Sequence, residues 1–254
     1  MTRASCSGPT ALRASATVRP PAPTPPHPTR GHCLLLTALR GGAGDSAALV
    51  AVFGPTGASK RQEIVNRAAI EVVYKPLSSA PGAAEKEKES VLRQIAEAAV
   101  MTQLHPRTVV QIVVQELNND GSMLAVVINA MCVALLDAGV PLRHSFVAAA
   151  VATRMDGSVL LDPAAADEAA CRSSCTFAYQ VGGAAPPAGD AAAAAGGTDF
   201  AVLSSVPGGC EVVGAGGVGD AGYWEALAAG RAAARQVEAF VRKHTEHHYA
   251  RVRA

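Results

Sequence analysis

Aromatic residues are scarce in this sequence: they make up 4% of its 254 residues, whereas 49% are hydrophobic. A buried core of this chain must therefore consist mainly of small aliphatic side chains. No apolar run reaches the roughly 18 residues that a membrane-spanning helix needs, and the run over 123–136 has the length of a buried helix. We therefore expect a packed globular protein without a membrane partner.

An excess of either charge is also missing. The chain carries 22 basic and 21 acidic residues, which gives a formal net charge of +1. This balance excludes a protein whose whole surface binds nucleic acid, because such surfaces are strongly basic. A local basic patch is still compatible with it.

The six cysteines form no regular framework, so we expect reduced thiols in an intracellular compartment. Cys171 and Cys175 are four residues apart, but no second cysteine or histidine pair lies nearby in the sequence to complete a zinc site. Metal-capable side chains also occur near the end of the chain, where a solvated basic helix end is the simpler interpretation; they are His244, Glu246, His247 and His248. We therefore expect no metal and no cofactor.

Residues 1–30 contain no acidic residue and include the proline-rich run RPPAPTPPHPTR. Proline removes backbone donors and prevents regular structure, so we predict a disordered N-terminal tail. Two interpretations of this tail remain open: an organelle transit peptide, or a plain extension of a nuclear or cytoplasmic protein. The folded domain is expected over 31–250, with a low-complexity loop at 182–198.

Within 31–250, segments typical of strands alternate with segments typical of helices. The predicted strands cover 33–39, 47–55, 68–76, 108–117, 144–155, 158–163, 175–181 and 199–206. The strand at 108–117 is rich in β-branched residues, so we expect it to be buried on both faces. The predicted helices cover 90–104, the apolar run that ends at Gly139, and a final stretch from about Asp220, while 79–88 is predicted as a charged loop. This order indicates an α+β domain.

Five motifs carry a resemblance to a known family. They are GDSAALVAVFGP at 44–55, EVVYKP at 71–76, LHPRT at 104–108, INAMCVALLDAGVPLR at 128–143 and DGSVLLDP at 156–163. Together they resemble the RNase PH family, and most of all the ring subunits of the eukaryotic RNA exosome. The charged stretch before the first helix is similar to that of the subfamily called exosome component five, which is regarded as non-catalytic in most lineages.

The resemblance implies an RNase PH-like fold, with βαβα halves like domain 2 of ribosomal protein S5. It also implies that six such domains close a ring around a channel that RNA threads. The partners would be other RNase PH-like ring subunits, S1/KH cap subunits and RNA, in the nucleus, the nucleolus and also the cytoplasm.

The same resemblance gives a meaning to the turn at Asp120-Gly121. In active members this turn continues with Gly, Thr and Arg, which hold the inorganic phosphate that attacks RNA. Here those positions fall on Ser122, Met123 and Leu124, so the threonine hydroxyl and the guanidinium are missing. We expect a structural helix start, at which Ser122 and the backbone hold an anion weakly at best.

Active members also carry an acidic cluster after the LLD motif, and here Ala164 replaces its middle carboxylate. Glu168 is then a candidate general acid, with a solvated loop charge as the simpler alternative, and Asp162 is expected to serve a turn. Of the arginines that hold RNA in the family, Arg93 and Arg107 are the candidates that remain. A solvated helix face for Arg93 and a local turn role for Arg107 are the alternatives.

Three functions follow as hypotheses. The first is a non-catalytic ring subunit, which the missing phosphate ligands favour. The second is a phosphate-dependent 3′–5′ exoribonuclease that acts on its own, and the third is a homo-oligomer that binds RNA without cleaving it. For the core, we expect a charge placed at Val113 or Val133 to prevent folding.

Overall fold

The computed structural model describes residues 45–60, 62–77, 82–181, 200–207 and 220–253. The predicted tail at 1–30, the predicted strand at 33–39 and the predicted loop at 182–198 lie outside these residues. Within them, no helix is both long enough and apolar enough to cross a membrane.

The first sheet has three strands in the order β1-β3-β2. They are β1 (Ala47–Gly57), β2 (Ala69–Lys75) and β3 (Thr108–Asn118). Strand β1 is antiparallel to β3, whereas β2 is parallel to it. A parallel neighbour needs a crossover connection, and helix α1 (Ala83–Ala99) provides it and packs on β2.

The second sheet has four antiparallel strands in the order β5-β4-β6-β7. They are β4 (Ser145–Thr153), β5 (Val159–Leu161), β6 (Ser173–Val181) and β7 (Phe200–Pro207). The short helix α3 (Ala165–Ala170) connects β5 to β6. The Asp156-Gly157 turn between two apolar segments predicts a hairpin, and the segments 175–181 and 199–206 are predicted to pair. Both predictions are confirmed, because β4 pairs with β5 and β6 pairs with β7.

Helix α2 (Met123–Asp137) lies between the two sheets, in contact with β1 and β4. All but three of its 15 residues are buried, so the predicted buried helix is confirmed. Its one buried amide, Asn129, donates from Nδ2 to the Ala148 carbonyl at 2.9 Å and accepts from the Ala148 N–H at 2.7 Å. These two bonds fasten the helix to β4.

The last helix, α4 (Asp220–Arg253), covers the other face of the second sheet by packing on β4, β5 and β6. The helical spacing of this stretch predicts one buried stripe that contains Trp224, Leu227, Ala234, Val237 and Val241. Of these, Leu227, Ala234 and Val241 are buried against the sheet. Trp224 is 49% exposed, so its predicted place on the buried stripe is wrong. The described layers are therefore sheet, helices, sheet and helix.

The predicted charged loop at 79–88 is wrong over most of its length, because α1 begins at Ala83. Lysine and glutamate favour helices, and the Glu85 carboxylate accepts the Gly82 N–H at 2.7 Å, which holds the first turn. The apolar spacing in 90–104 predicts a buried helix face with Val91, Ile95, Ala98, Ala99 and Thr102, and the observed buried face of α1 differs from it. It contains Leu92 and Ala96 in addition to Ile95 and Ala99, whereas Ala98 is exposed.

Strand β3 is buried on one face only, so the prediction of burial on both faces is wrong. Ile112 is 0% exposed, whereas its neighbour Val113 points to the outer face and is half-buried. The reason is that helices cover one side of the first sheet in the described residues. A charge at Val113 should then be tolerated far better than expected, while Val133 is 8% exposed against α4 and keeps its expected sensitivity.

Candidate functional site

The candidate site is the turn at 119–122, between the end of β3 and the start of α2. Ser46, which is 1% exposed, bridges this turn to the start of β1. Its Oγ accepts the Asp120 N–H at 2.8 Å and donates to the Gly121 carbonyl at 2.6 Å. The Asp120 carboxylate in turn accepts the Asp45 N–H at 3.0 Å. The turn is thus fixed on the side of the first sheet.

On its other side, the turn lies directly against the segment that follows β5. A Cβ on Gly121 would lie 2.6 Å from the Pro163 carbonyl oxygen, and the φ of Gly121 is +89°, so only glycine fits. The Ala165 N–H donates to the Asp120 carbonyl at 3.1 Å. The two segments therefore touch through their backbones.

Ser122, at the N-terminus of α2, connects the turn to the segment that follows β5 by hydrogen bonds. It is 6% exposed and has a left-handed backbone, with φ at 52°. Its Oγ donates to the Pro163 carbonyl at 2.8 Å, and its N–H donates to Oε1 of Glu168 at 3.0 Å. Both donors of Ser122 are therefore satisfied by the chain itself.

The next two positions are apolar and face inward. Met123 is 6% exposed and belongs to the main core, and Leu124 is half-buried against the same core. The Ser122 side chain makes no capping hydrogen bond to the first turn of α2. The start of α2 thus offers backbone N–H groups but no cationic side chain at the positions where active family members carry theirs.

Glu168 is half-buried on α3 and accepts the Ser122 N–H, so it is neither a merely solvated loop charge nor a side chain without a partner. The neighbouring Asp167 forms an exposed ion pair with Arg154, at 3.4 Å between Oδ1 and the guanidinium. Asp162 has φ at 55° where the chain leaves β5, which is a turn conformation. Its N–H donates to the Ala150 carbonyl at 2.9 Å.

Neither candidate RNA-binding arginine makes any of the hydrogen bonds that hold this turn. Arg93 is exposed on α1. Arg107 is exposed before the first residue of β3, with φ at 61° and its Nε 3.5 Å from the Glu63 carboxylate. An 11-residue strand separates Arg107 from the turn, which is a distance of roughly 35 Å along β3.

The structure contains a polar cluster that the sequence reasoning missed. Glu116 is 6% exposed, and its carboxylate accepts the Tyr74 hydroxyl. Lys88 lies 3.4 Å from Glu116 Oε1 and 4.9 Å from the centre of the Tyr74 ring. Burial, followed by the nearby Glu116, raises the pKa of Tyr74 far above its usual value. A signal existed, because Glu116 continues the inward-facing positions of Ile112 and Val114 on an alternating strand.

A cavity of about 520 Å³ lies elsewhere, between α4, the end of α2 and the start of β4. It is lined by residues such as Leu136, Val147 and Val241, and by none of the predicted site residues. Among the described residues, no three His, Cys, Asp or Glu side chains lie close enough to hold a metal ion.

The two sheets and their helices define an α+β protein. Residues 42–141 match the family described as 3′ exoribonuclease family, domain 1. This stretch of the chain is thus similar to the RNase PH family, as the motifs predict.

Individual proteins that match the chain carry related names. The exosome complex exonuclease RRP46 homolog of rice (Oryza sativa subsp. japonica) is 39% identical over 138 residues, which cover 54% of this chain and 57% of the relative. The human exosome complex component RRP41 is 37% identical over 138 residues, which cover 50% and 56% respectively. The matched region thus spans a little over half the length of these curated relatives.

Solved structures extend the likeness to most of the described fold. The crystal structure of rice Rrp46 matches with a TM-score of 0.65 and 27% identity, and the match covers 85% of this chain and 96% of that one. The archaeal exosome core matches with a TM-score of 0.53 at 14% identity, over 78% of each chain, which shows the fold alone. The predicted fold class is confirmed.

Proposed function

We propose that this chain is a non-catalytic ring subunit of the RNA exosome. In this role it assembles the barrel with other RNase PH-like subunits, carries S1/KH cap subunits and helps to guide RNA during 3′–5′ processing and degradation. The names of the rice and human relatives and the likeness to rice Rrp46 support the complex.

The observation that supports a non-catalytic role is that the first side chains of α2 face the core of the protein. Where active members place phosphate ligands, Met123 and Leu124 pack on the core, and both donors of Ser122 bond to the chain itself. Charge-assisted hydrogen bonds contribute about 1.5–3 kcal/mol each. A helix N-terminus alone contributes about 0.3–1 kcal/mol, which is too little to hold inorganic phosphate in water.

Association with ring neighbours fits the first sheet. Its outer face carries Phe53, Val73 and Val113, which are half-buried in the single chain. With a formal charge of +1, little net repulsion opposes assembly. Arg93 and Arg107, both exposed, are the proposed contacts to RNA. The complex would be found in the nucleus and nucleolus and also in the cytoplasm.

Two observations favour the second candidate function, a phosphate-dependent 3′–5′ exoribonuclease. The rice relative is named an exonuclease, and in this chain Glu168 lies beside Ser122, where a general acid would be useful. An acid needs a substrate within hydrogen-bond reach, and here the carboxylate is engaged by the Ser122 N–H. We therefore place this candidate second.

Two experiments test the proposal. Co-expression of the full chain with RNase PH-like ring subunits should give a stable complex by light scattering, and a monodisperse monomer that ignores these subunits would contradict it. Incubation of the pure chain with single-stranded RNA, phosphate and magnesium should release no nucleoside diphosphates. Release that disappears in the Ser122→Ala or Glu168→Gln variant would establish the exonuclease instead.

A further inference from the structure

We infer that the Glu168 carboxylate serves as the anion at the N-terminus of α2. It occupies the position that an external oxyanion such as inorganic phosphate would need. This inference rests on the proposed function, because it explains how an RNase PH-like turn keeps its shape without binding phosphate. Glu168 acts in it as a positioning residue.

The first argument is geometric. Glu168 Oε1 is 3.0 Å from the Ser122 nitrogen, which is the length of a normal hydrogen bond to an amide. Ser122 has a left-handed backbone conformation, with φ at 52°, and the chain enters α2 directly after it. Unpaired N–H groups and the helix dipole make this place favourable for a negative charge. The negative group found there belongs to the chain.

The second argument is that the carboxylate cannot move away easily. Gly121 lies so close to the 163–165 backbone that an added Cβ would come within 2.6–2.7 Å of its atoms. The bonds from Ser122 Oγ to the Pro163 carbonyl and from the Ala165 N–H to the Asp120 carbonyl join the same two segments. Glu168 follows this segment on α3. The contacts of the 163–165 backbone with the turn therefore hold the Glu168 carboxylate close to Ser122.

The third argument is the sign of the surrounding charge. The Glu168 carboxylate accepts the Ser122 N–H of this turn, and the Asp120 carboxylate accepts the Asp45 N–H just before β1. Asp162 and Asp167 flank the 163–165 segment. Asp167 also pairs with Arg154, at 3.4 Å. A phosphate with about two negative charges would therefore meet repulsion as well as an occupied donor.

The test is thermal unfolding of the full chain, alone or in its ring complex, with phosphate raised at constant ionic strength. The variants are Glu168→Ala, which vacates the donor, and Glu168→Gln, which keeps an acceptor of the same size without the charge. Asp167→Ala is the matched control, because it removes a neighbouring carboxylate that does not touch the turn.

We expect the Tm of the wild type and of Asp167→Ala to be independent of phosphate. The Tm of Glu168→Ala should start lower and rise with phosphate in a saturable manner, and Glu168→Gln should give a smaller rise. A wild type that gains as much from phosphate as Glu168→Ala would overturn the inference. An absence of any phosphate response in both Glu168 variants would do the same.

These outcomes are separable from a failure of the proposed function. If the wild type releases nucleoside diphosphates or ignores ring subunits, the proposed function fails. If the wild type is inert and assembles, but vacating Glu168 opens no phosphate response, the role of Glu168 alone is wrong.

Discussion

The dipeptide Asp-Gly occurs twice in the described chain, and its two turns have opposite surroundings. Asp120-Gly121 is enclosed by β1, α2 and the 163–165 segment, whereas Asp156-Gly157 lies exposed between β4 and β5. Both glycines have positive φ, at +89° and +78°. A Cβ on Gly157 would meet nothing within 4 Å, in contrast to Gly121. The same local signal therefore marks a hairpin in one place and the junction of three segments in the other.

The largest difference between the turns should come from replacing their glycines. Gly121→Ala combines an unfavourable φ with contacts near 2.6 Å to backbone atoms, and we expect a loss of roughly 3–5 kcal/mol in the free energy of unfolding. Gly157→Ala meets only the unfavourable φ, so about 1–2 kcal/mol is expected. Urea denaturation of both variants measures the difference, and equal losses would show that the enclosure of Gly121 has no energetic effect.

The serines beside the two turns should differ next. Ser46→Ala and Ser122→Ala each leave buried backbone groups without their partner, and we expect each to cost about 1–3 kcal/mol. Ser158 is exposed, so Ser158→Ala should stay within about 0.5 kcal/mol of the wild type. The midpoints of thermal unfolding compare the three variants. A Ser158→Ala variant as unstable as Ser122→Ala would contradict this assignment.

A smaller difference is expected for the aspartates. Asp120→Asn weakens the bond that its carboxylate accepts from the Asp45 N–H, so a loss of about 0.5–1.5 kcal/mol is expected. Asp156 is exposed in the open turn, and Asp156→Asn should be nearly neutral, within about 0.5 kcal/mol. Chemical denaturation at matched ionic strength resolves the pair, and the expectation fails if Asp156→Asn is the less stable of the two.

No gain at all is expected from rebuilding the first turn of α2. Met123→Thr combined with Leu124→Arg restores the missing side-chain types, but Glu168 still engages Ser122 and Ala164 still replaces a carboxylate. Incubation of the variant with RNA, phosphate and magnesium should release no nucleoside diphosphates. Phosphate-dependent release by this variant would show that two side chains alone separate it from an active enzyme. Circular dichroism controls for folding, since Met123 is part of the core.

The fold was largely predictable because its elements carry strong local patterns. The buried helix α2 follows from its unbroken apolar run, and the β4–β5 hairpin follows from Asp156-Gly157 between two apolar segments. The start of α1 was missed because glutamate and lysine suit both a loop and an exposed helix turn. The outer face of β3 was missed for another reason: valine at position 113 fits a pleated surface whether or not anything covers it.

The candidate site was predictable in its position but not in its connections. The turn, Ser122 and the missing cationic side chain could be located from the motif. The bond from Ser122 to Glu168 spans 46 residues and depends on how the 163–165 backbone meets Gly121, which no local pattern encodes. The Tyr74–Glu116 contact likewise joins β2 to β3 across 42 residues.

The position of helix α2 between the two sheets has a consequence for how the domain unfolds. If the second sheet separated, Asn129 would lose both of its bonds to Ala148 and one side of an apolar helix would meet water. Such partial opening is costly, so the two sheets should unfold as one cooperative unit. Amide hydrogens in α2 should then exchange with solvent only when the whole domain unfolds, with the same opening free energy as those of β3 and β4.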